Sequence, residues 1–88
     1  MRINKKDFVR AGVNVSITPG QMLKTLRELQ GLSQKELADK TGMTQSNISA
    51  LETDASQMGR ERAIAIATVL KVHPAVILFP DYDIAEAA

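Results

Sequence analysis

The sequence predicts an all-α domain of five helices, preceded by a basic arm that contains a short β-strand. Apolar residues recur three and four positions apart between residues 23 and 70, which is the spacing of helices with one buried face. A hydroxyl residue is followed three positions later by Gln or Glu at Thr18 and at Ser33, as in a helix capping box. Gly31 and Gly42 follow helical stretches, where a left-handed residue ends a helix.

The chain divides by charge into three parts. The predicted boundaries place a basic arm at residues 1–18, a helical domain at 19–80 and an acidic tail at 81–88. The arm holds four basic residues and one acidic residue, and the tail holds three acidic residues. This distribution fits DNA binding at the basic end, and it equally fits two solvated termini.

Residues 13–18, VNVSIT, alternate strictly between apolar and polar side chains, which predicts a half-buried β-strand. Val13, Val15 and Ile17 share its apolar face. Because a lone strand is not stable in water, we expect it to pair with a second protomer or with another protein.

The first helix is expected from Pro19 to about Leu29. Proline is favoured at the first helical position, and Thr18 with Gln21 can close a capping box around it. Gly31 then accepts the positive φ that ends the helix.

Two short helices joined by a tight turn follow between residues 33 and 52. The first of the two is expected to open at Ser33 and to end at Thr41. Gly42 allows the sharp turn after it, because glycine adopts positive φ without strain. This is the layout by which a protein places a helix in the major groove of DNA.

The third helix is expected from Gln45 to about Thr53 and exposes small polar groups on one side. Ile48 and Leu51 are its large apolar residues, so the opposite side is free to face outward. A Gln amide can bond adenine, a Ser hydroxyl can donate or accept at most base edges, and an Ala methyl can contact thymine. The predicted base-contacting residues are Gln45, Ser46, Ser49 and Ala50.

A polar loop at residues 54–59 leads to a fourth helix, RERAIAIATVL, which is apolar on most sides as expected of a centrally packed helix. A short fifth helix is expected from Pro74 through AVILF. Five consecutive apolar residues exceed what one face can bury, so we expect some of them to contact a second copy. The predicted dimer interface comprises Val76, Ile77 and Phe79 together with Val13, Val15 and Ile17.

Candidate phosphate contacts surround the helix pair. Gln34 opens the second helix, where free N–H groups and the helix dipole attract an anion. Asn47 can donate to a phosphate or help to cap the third helix. Each lysine or arginine near them can contact a phosphate or simply keep the surface soluble. The predicted set is Gln34, Asn47, Lys35, Lys40 and Arg60.

Arg27 and Glu52 are expected to form a structural ion pair between the first and third helices. Its role is to orient the reading helix, since neither residue belongs to a chemical site. The alternative is two independent surface charges, because exposed ion pairs contribute little.

Composition excludes several classes of site. The chain has no cysteine and one histidine, so we expect no disulfide, no metal and no cofactor. Its longest apolar run is far too short to span a membrane, and the start, MRINKKDF, lacks the apolar core of a signal peptide. We therefore expect a cytoplasmic protein without a membrane partner. The absence of a nucleophile–base pair also argues against an enzyme.

The pattern LxxLRxxQGLSQxELAxKxGMTQSxISxLE, which begins at Leu23 and ends at Glu52, resembles the Cro/CI-type helix-turn-helix family, also called XRE. Lambdoid phage repressors typify this family. The resemblance implies a five-helix domain that binds operator DNA as a two-fold dimer, with the third helix in the major groove. It also implies a phosphate contact at Gln34, base contacts at Gln45 and Ser46, and the inter-helix pair of Arg27 with Glu52.

Two features depart from the phage repressors. The loop at 54–59 is a residue longer and lacks their basic residues, and the arm before Pro19 has no counterpart in the minimal domain. A short helix followed by FPD also occurs in regulators that lie beside toxin genes.

The leading hypothesis is a homodimeric transcription regulator, a repressor that binds a palindromic operator in double-stranded DNA. The alternative is an antitoxin of a type II toxin–antitoxin module, which binds a cognate toxin and represses its own operon. In that case the VNVSIT strand could add to the edge of a sheet in the toxin.

Overall fold

Five helices form the described part of the chain, residues 17–80 of the computed structural model. They are α1 (Pro19–Leu29), α2 (Gln34–Thr41), α3 (Gln45–Glu52), α4 (Arg60–Leu70) and α5 (Pro74–Leu78). Residues 17–80 contain no strand, which confirms the all-α class. The predicted strand from Val13 to Ser16, the rest of the arm and the acidic tail lie outside the described residues. Ile17 and Thr18, which are described, belong to no strand.

Both predicted capping boxes are present. The Thr18 hydroxyl accepts from the backbone N–H of Gln21, and the Gln21 side chain accepts from the Thr18 N–H, each at 3.1 Å. Ser33 and Glu36 make the same reciprocal pair at 3.0 Å. Each box satisfies two N–H groups that lack an acceptor inside the helix, which fixes where α1 and α2 begin.

The helix ends use left-handed residues, two of which are not glycine. Gly31 and Gly42 have φ of 70° and 75°, as the sequence predicted. Lys71, after α4, has φ of 60°, and Asp54, after α3, has φ of 62°. A side chain at positive φ is uncommon, and Asp54 is held there by hydrogen bonds from the Thr18 hydroxyl and the Gly20 N–H. The third helix ends at Glu52, with Thr53 as its cap, one residue earlier than expected.

The core lies where all five helices meet. α1 packs on α3 and α5, α2 packs on α3 and α4, and α4 packs on α5. Each large apolar side chain that is fully buried contributes about 1.5–3 kcal/mol to stability. These side chains are Leu23, Leu37, Ile48, Leu51, Ile66, Leu70 and Ile77.

Two expectations about α4 and α5 need correction. α4 buries one face, Ala63, Ile66, Ala67 and Leu70, whereas Ile64 is 43% exposed, so the helix is not buried on most sides. Ile77 is completely buried in the core. Its predicted place in a dimer interface is therefore wrong, because a side chain already covered within its own chain cannot contact a partner.

Asp54 joins the start of α1 to the end of α3. Its carboxylate accepts from the Thr18 hydroxyl at 2.6 Å and from the Gly20 N–H at 3.1 Å. Gly20 is buried, and a Cβ placed there would overlap the carbonyl oxygen of Leu51. The two helices therefore approach more closely than any residue with a side chain at position 20 would allow.

Candidate nucleic-acid interface

One open recess on the surface brings the predicted reading residues together. It is lined by Gln34 from α2 and by Gln45, Ser46, Ser49 and Ala50 from α3. Gln45 and Ser46 are exposed, whereas Ser49 and Ala50 are half-buried along the same side. The recess therefore presents two amides, from Gln34 and Gln45, and the Ser46 hydroxyl, with the Ser49 hydroxyl and the Ala50 methyl group one turn further along α3.

The buried side of α3 determines which of its side chains face the recess. Ile48 and Leu51 have no more than 1% of their surface exposed, and their three-residue spacing places both on the side that faces the core. The Thr44 hydroxyl accepts from the Asn47 N–H at 3.1 Å and caps the helix at its first turn. These contacts fix the rotation of α3 about its axis, so the polar residues must lie outward.

The expected pair of Arg27 with Glu52 adjoins the recess, because Glu52 is bonded to Gln34. Arg27 Nε donates to Glu52 Oε2 at 2.6 Å, and Arg27 Nη2 donates to Glu52 Oε1 at 3.1 Å. Both residues are buried, so they are not independent surface charges. Hydrogen bonding to Glu52 raises the pKa of Arg27 above its ordinary value, against the opposing effect of burial. The guanidinium also donates through Nη1 to the Leu32 carbonyl at 2.7 Å.

Gln34 also bonds to Glu52, a contact that the sequence did not indicate. Its Nε2 donates to Glu52 Oε1 at 3.0 Å, so the carboxylate joins α1, α2 and α3. The backbone N–H groups of Gln34 and Lys35 lie in the first turn of α2, where intrahelical acceptors are lacking. An anion at this position would therefore accept hydrogen bonds from these backbone N–H groups, because the Gln34 side-chain amide already donates to Glu52.

The other predicted phosphate residues have different surroundings. Lys35 is exposed on α2, and Arg60 is the exposed first residue of α4. Asn47 is half-buried, and Thr44 rather than the Asn47 side chain caps α3. Lys40 lines a separate recess with Gln30, Leu32, Val69 and Lys71, so the structure does not bring it to the reading residues.

Some large apolar side chains outside this recess are also exposed. Phe79 is 62% exposed and lines a recess with Pro19, Met58 and Leu78. Val76, its predicted companion, is half-buried. Leu29, which sequence reasoning did not single out, is 77% exposed. Leu29 follows the half-buried Met22 and Leu26 by seven and three positions on α1, and this spacing places all three on one side of the helix.

Residues 17–80 contain no group of three or more His, Cys, Asp or Glu residues that could hold a metal ion. None of the helices between these limits is long and apolar enough to cross a membrane.

Comparison with known proteins agrees with this geometry. The family described as helix-turn-helix matches residues 23–77, which is more than half of the chain. The chain is a member of the Cro/CI-type (XRE) helix-turn-helix family. No curated protein sequence matches the chain.

Several solved structures of the helix-turn-helix class share the fold. The restriction-modification controller protein C.AhdI from Aeromonas hydrophila is 30% identical, with a TM-score of 0.65 over 68% of this chain and 91% of that one. SinR, the master regulator for biofilm formation solved in complex with DNA, is 28% identical, with a TM-score of 0.64 over 68% and 97%. The P22 c2 repressor in complex with a synthetic operator has a TM-score of 0.69 over 73% and 97%, and its 20% identity shows the fold alone.

Proposed function

We propose that this helix-turn-helix protein is a homodimeric repressor that reads a palindromic operator. Its family and solved relatives make it a DNA-binding transcription regulator. The observation that carries the finer proposal is the recess, in which Gln34 meets Gln45, Ser46, Ser49 and Ala50. Short polar side chains on a rigidly held helix are suited to base edges in the major groove.

In this mechanism α3 enters the major groove with its first turn foremost. Gln45 and Ser46, which are the most exposed, meet base edges first, and Ser49 and Ala50 follow along the groove. Bidentate bonding of an amide to adenine and contact of a methyl group with thymine supply the sequence discrimination. The buried contacts of Ile48 and Leu51 keep the helix from rotating away from the bases.

Phosphate contacts position the domain without reading sequence. The backbone N–H groups at the start of α2 and the exposed side chains of Lys35 and Arg60 supply them, with Asn47 as a further donor. Lys40 lies in a different recess and is the weakest member of the predicted set. Because these contacts release counterions, DNA affinity falls steeply as salt rises, by about 0.9 logarithmic units per phosphate contact for each tenfold increase.

The dimer supplies the two-fold symmetry that a palindrome requires. Phe79 caps the end of α5 and is exposed. The recess that it lines combines apolar Pro19, Met58 and Leu78 with polar Asp54, Ser56 and Gln57. A two-fold contact would cover this surface in both copies. The two α3 helices would then meet half-sites about 34–36 Å apart, one turn of DNA. Ile17 lies two residues before Pro19 and is part of the same proposed interface.

Selection of bound duplexes from random DNA tests the function directly, because it needs no knowledge of the operator. We expect a recovered consensus with two inverted half-sites. Gln45→Ala should then weaken binding to that consensus by about tenfold to a hundredfold and leave binding to unrelated DNA unchanged. Thr25→Ala, which alters an exposed residue of α1, is the matched control and should bind like wild type. Unchanged selectivity of Gln45→Ala would refute the base-contact assignment.

The antitoxin alternative depends on the arm, most of which lies outside the described residues. A chain that lacks residues 1–16 distinguishes the two functions. Loss of self-association in this truncated chain supports pairing of the arm within the dimer. Loss of binding to a toxin encoded by a neighbouring gene, with the dimer intact, supports the antitoxin.

A further inference from the structure

A second recess combines basic and apolar side chains at the C-terminal ends of α1, α2 and α4. The residues that line this basic recess are Gln30, Leu32, Lys40, Val69 and Lys71. Leu32 and Val69 are half-buried against the core, whereas both lysines are exposed. Within residues 17–80, no hydrogen bond or ion pair engages the ammonium group of either lysine. Two positive charges beside one recess favour an acidic occupant.

Lys71 occupies a position where the backbone favours glycine. It caps α4 in the left-handed conformation, with φ of 60° and ψ of 41°. Glycine is the usual residue at such a helix end, because a side chain is strained there. The Leu70 carbonyl already accepts from Gln30 Nε2 at 2.6 Å, so the lysine is not needed to satisfy it. The ammonium group of Lys71 is therefore available to a ligand in the basic recess.

Lys40 is available in the same way. Glu36, four residues earlier on α2, is the acid that shares its side of the helix. The Glu36 carboxylate accepts from the Ser33 N–H at 3.0 Å and forms no ion pair with Lys40. Hydrogen bonds from Ser33, and to a smaller extent the charge of Lys40, lower the pKa of Glu36. Lys40 therefore retains its capacity to pair with a second acid.

The chain itself contains a segment whose chemistry matches the basic recess. In the acidic tail, Asp83 and Glu86 stand on either side of Ile84. The tail lies outside the described residues. Its two acids complement the two lysines, and its isoleucine complements the apolar pair formed by Leu32 and Val69.

The tail is long enough to reach the basic recess. Phe79, at the end of α5, lines a recess with Pro19 at the start of α1, whereas Gln30 follows the end of that helix. The 11 residues of α1 extend about 16 Å, which approximates the distance that the tail must cover. An extended chain from residue 81 to residue 86 spans about 20 Å. Residues 83–86 can therefore lie in the basic recess.

We propose that residues 83–86 dock in the basic recess of their own chain. The Ile84 side chain packs on Leu32 and Val69, and the two tail acids pair with the two lysines. Docking neutralises positive charge in a recess that contains none of the predicted base contacts. Nonspecific attraction of DNA phosphates to this recess falls accordingly, and binding is directed to α3.

A nitroxide on the tail tests this docking in the full chain. Ala87→Cys provides a single attachment site, because the sequence contains no cysteine. We expect paramagnetic broadening of the backbone amide signals to be strongest at Leu32 and Val69 and weaker at Ser46 on α3. Broadening that is strongest elsewhere, or that is spread evenly over the domain, overturns the inference.

Lys40→Gln combined with Lys71→Gly removes both charges from the basic recess. Broadening in the recess should then fall by about threefold or more, because two ion pairs are lost. The variant should fold, since glycine suits the left-handed backbone at position 71. Broadening as strong as in wild type overturns the inference.

Lys24→Gln combined with Arg62→Gln is the matched control. It removes the same charge from exposed positions outside the basic recess and should leave the broadening unchanged. An equal loss of broadening in both double variants would show that net charge alone attracts the tail, which overturns the inference.

A mixture of two chains distinguishes the chain's own tail from the tail of a second copy. One chain is isotopically labelled for NMR and carries no nitroxide, and the other carries the nitroxide alone. Broadening at Leu32 and Val69 that is as strong in this mixture as in the doubly labelled chain assigns the recess to a second copy, which overturns the inference.

Substitution within the tail keeps the inference testable if the lysine variant does not fold. Ile84→Ser removes the apolar contact and should shift the amide signals of Leu32 and Val69, with that of Ser46 unchanged. Ala88→Ser, which alters the tail beyond the docking segment, is the control and should leave all three signals in place. Signals of Leu32 and Val69 that do not move in Ile84→Ser overturn the inference.

Discussion

Gly20→Ala should strongly destabilise this domain, although alanine is the better helix former. In a helix interior the change from glycine to alanine is worth about 1 kcal/mol in favour of alanine, and Gly20, in the first turn of α1, would gain no more than that. Here the added Cβ would overlap the Leu51 carbonyl oxygen and would lie 2.8 Å from that of Glu52 and 2.7 Å from Asp54 Oδ1. Two of these atoms are backbone, so α1 must move away from α3.

The magnitude follows from overpacking and from the capping contacts that movement would break. Overpacking a rigid site costs about 1–3 kcal/mol, and occasionally more. Displacement of α1 also lengthens the bonds from Thr18 and Gly20 to Asp54, each worth about 1 kcal/mol. These costs exceed the gain in helix propensity, so we expect a net loss of about 2–4 kcal/mol.

Thermal unfolding followed by circular dichroism measures this loss. A domain of this size shifts its midpoint by about 4–8 °C for each kcal/mol, so the midpoint should fall by at least 8 °C. Gly59→Ala is the matched control, because a Cβ at position 59 meets no atom within 4 Å. Its effect should be about 1 kcal/mol or less, from the weaker helix cap. A Gly20→Ala protein as stable as wild type would show that the contact of α1 with α3 is not tight.

Three further predictions concern the ion pair, the second capping box and the proposed dimer. Arg27→Met should cost about 3–5 kcal/mol in denaturant unfolding, because it leaves the buried Glu52 carboxylate uncompensated. Arg27→Met combined with Glu52→Met should recover much of that loss, and a double variant as unstable as the single one contradicts the explanation. Hydrogen bonds from Ser33 lower the pKa of Glu36 below its ordinary value of 4.5. The ionised Glu36 carboxylate therefore contributes fully to stability above that pH, and this contribution is lost as the pH falls further. Glu36→Gln should flatten this part of the curve of stability against pH, and an unchanged curve rules the contribution out. Phe79→Ser should shift the sedimentation profile towards monomer and weaken operator binding, with no change in the helical circular dichroism signal; an unaltered profile excludes this surface as the dimer contact.

Local chemistry explains why so much of the fold could be predicted. The capping boxes at Thr18 and Ser33 and the positive φ at Gly42 involve residues within four positions of one another, so their spacing in the chain already specifies their geometry. The outward face of α3 could be predicted in the same way, because Ile48 and Leu51 lie on one side of any helix that contains both. The recess composed of polar residues on the other side followed from that rotation.

Contacts between distant residues account for what was missed. The acceptor for the Gly20 N–H is Asp54, 34 positions away, and nothing in the loop at 54–59 indicated this role. Gln34 was expected to meet a phosphate, and its partner across 18 positions, Glu52, became visible only when α2 and α3 were in place. Ile77 lies on α5 and Phe79 caps its end, and only packing showed that the first is buried and the second exposed.

The sequence by itself determined the five helices, the turn between α2 and α3, and which side of α3 carries Gln45 and Ser46, because each depends on short-range caps and helical periodicity. The tertiary structure decided how α1, α2 and α3 are joined through Glu52 and Asp54, and hence which way the Gln34 amide points beside the recess. Hydrogen bonds and burial of this kind depend on where the chain returns in space, and the order of residues along it does not specify that directly.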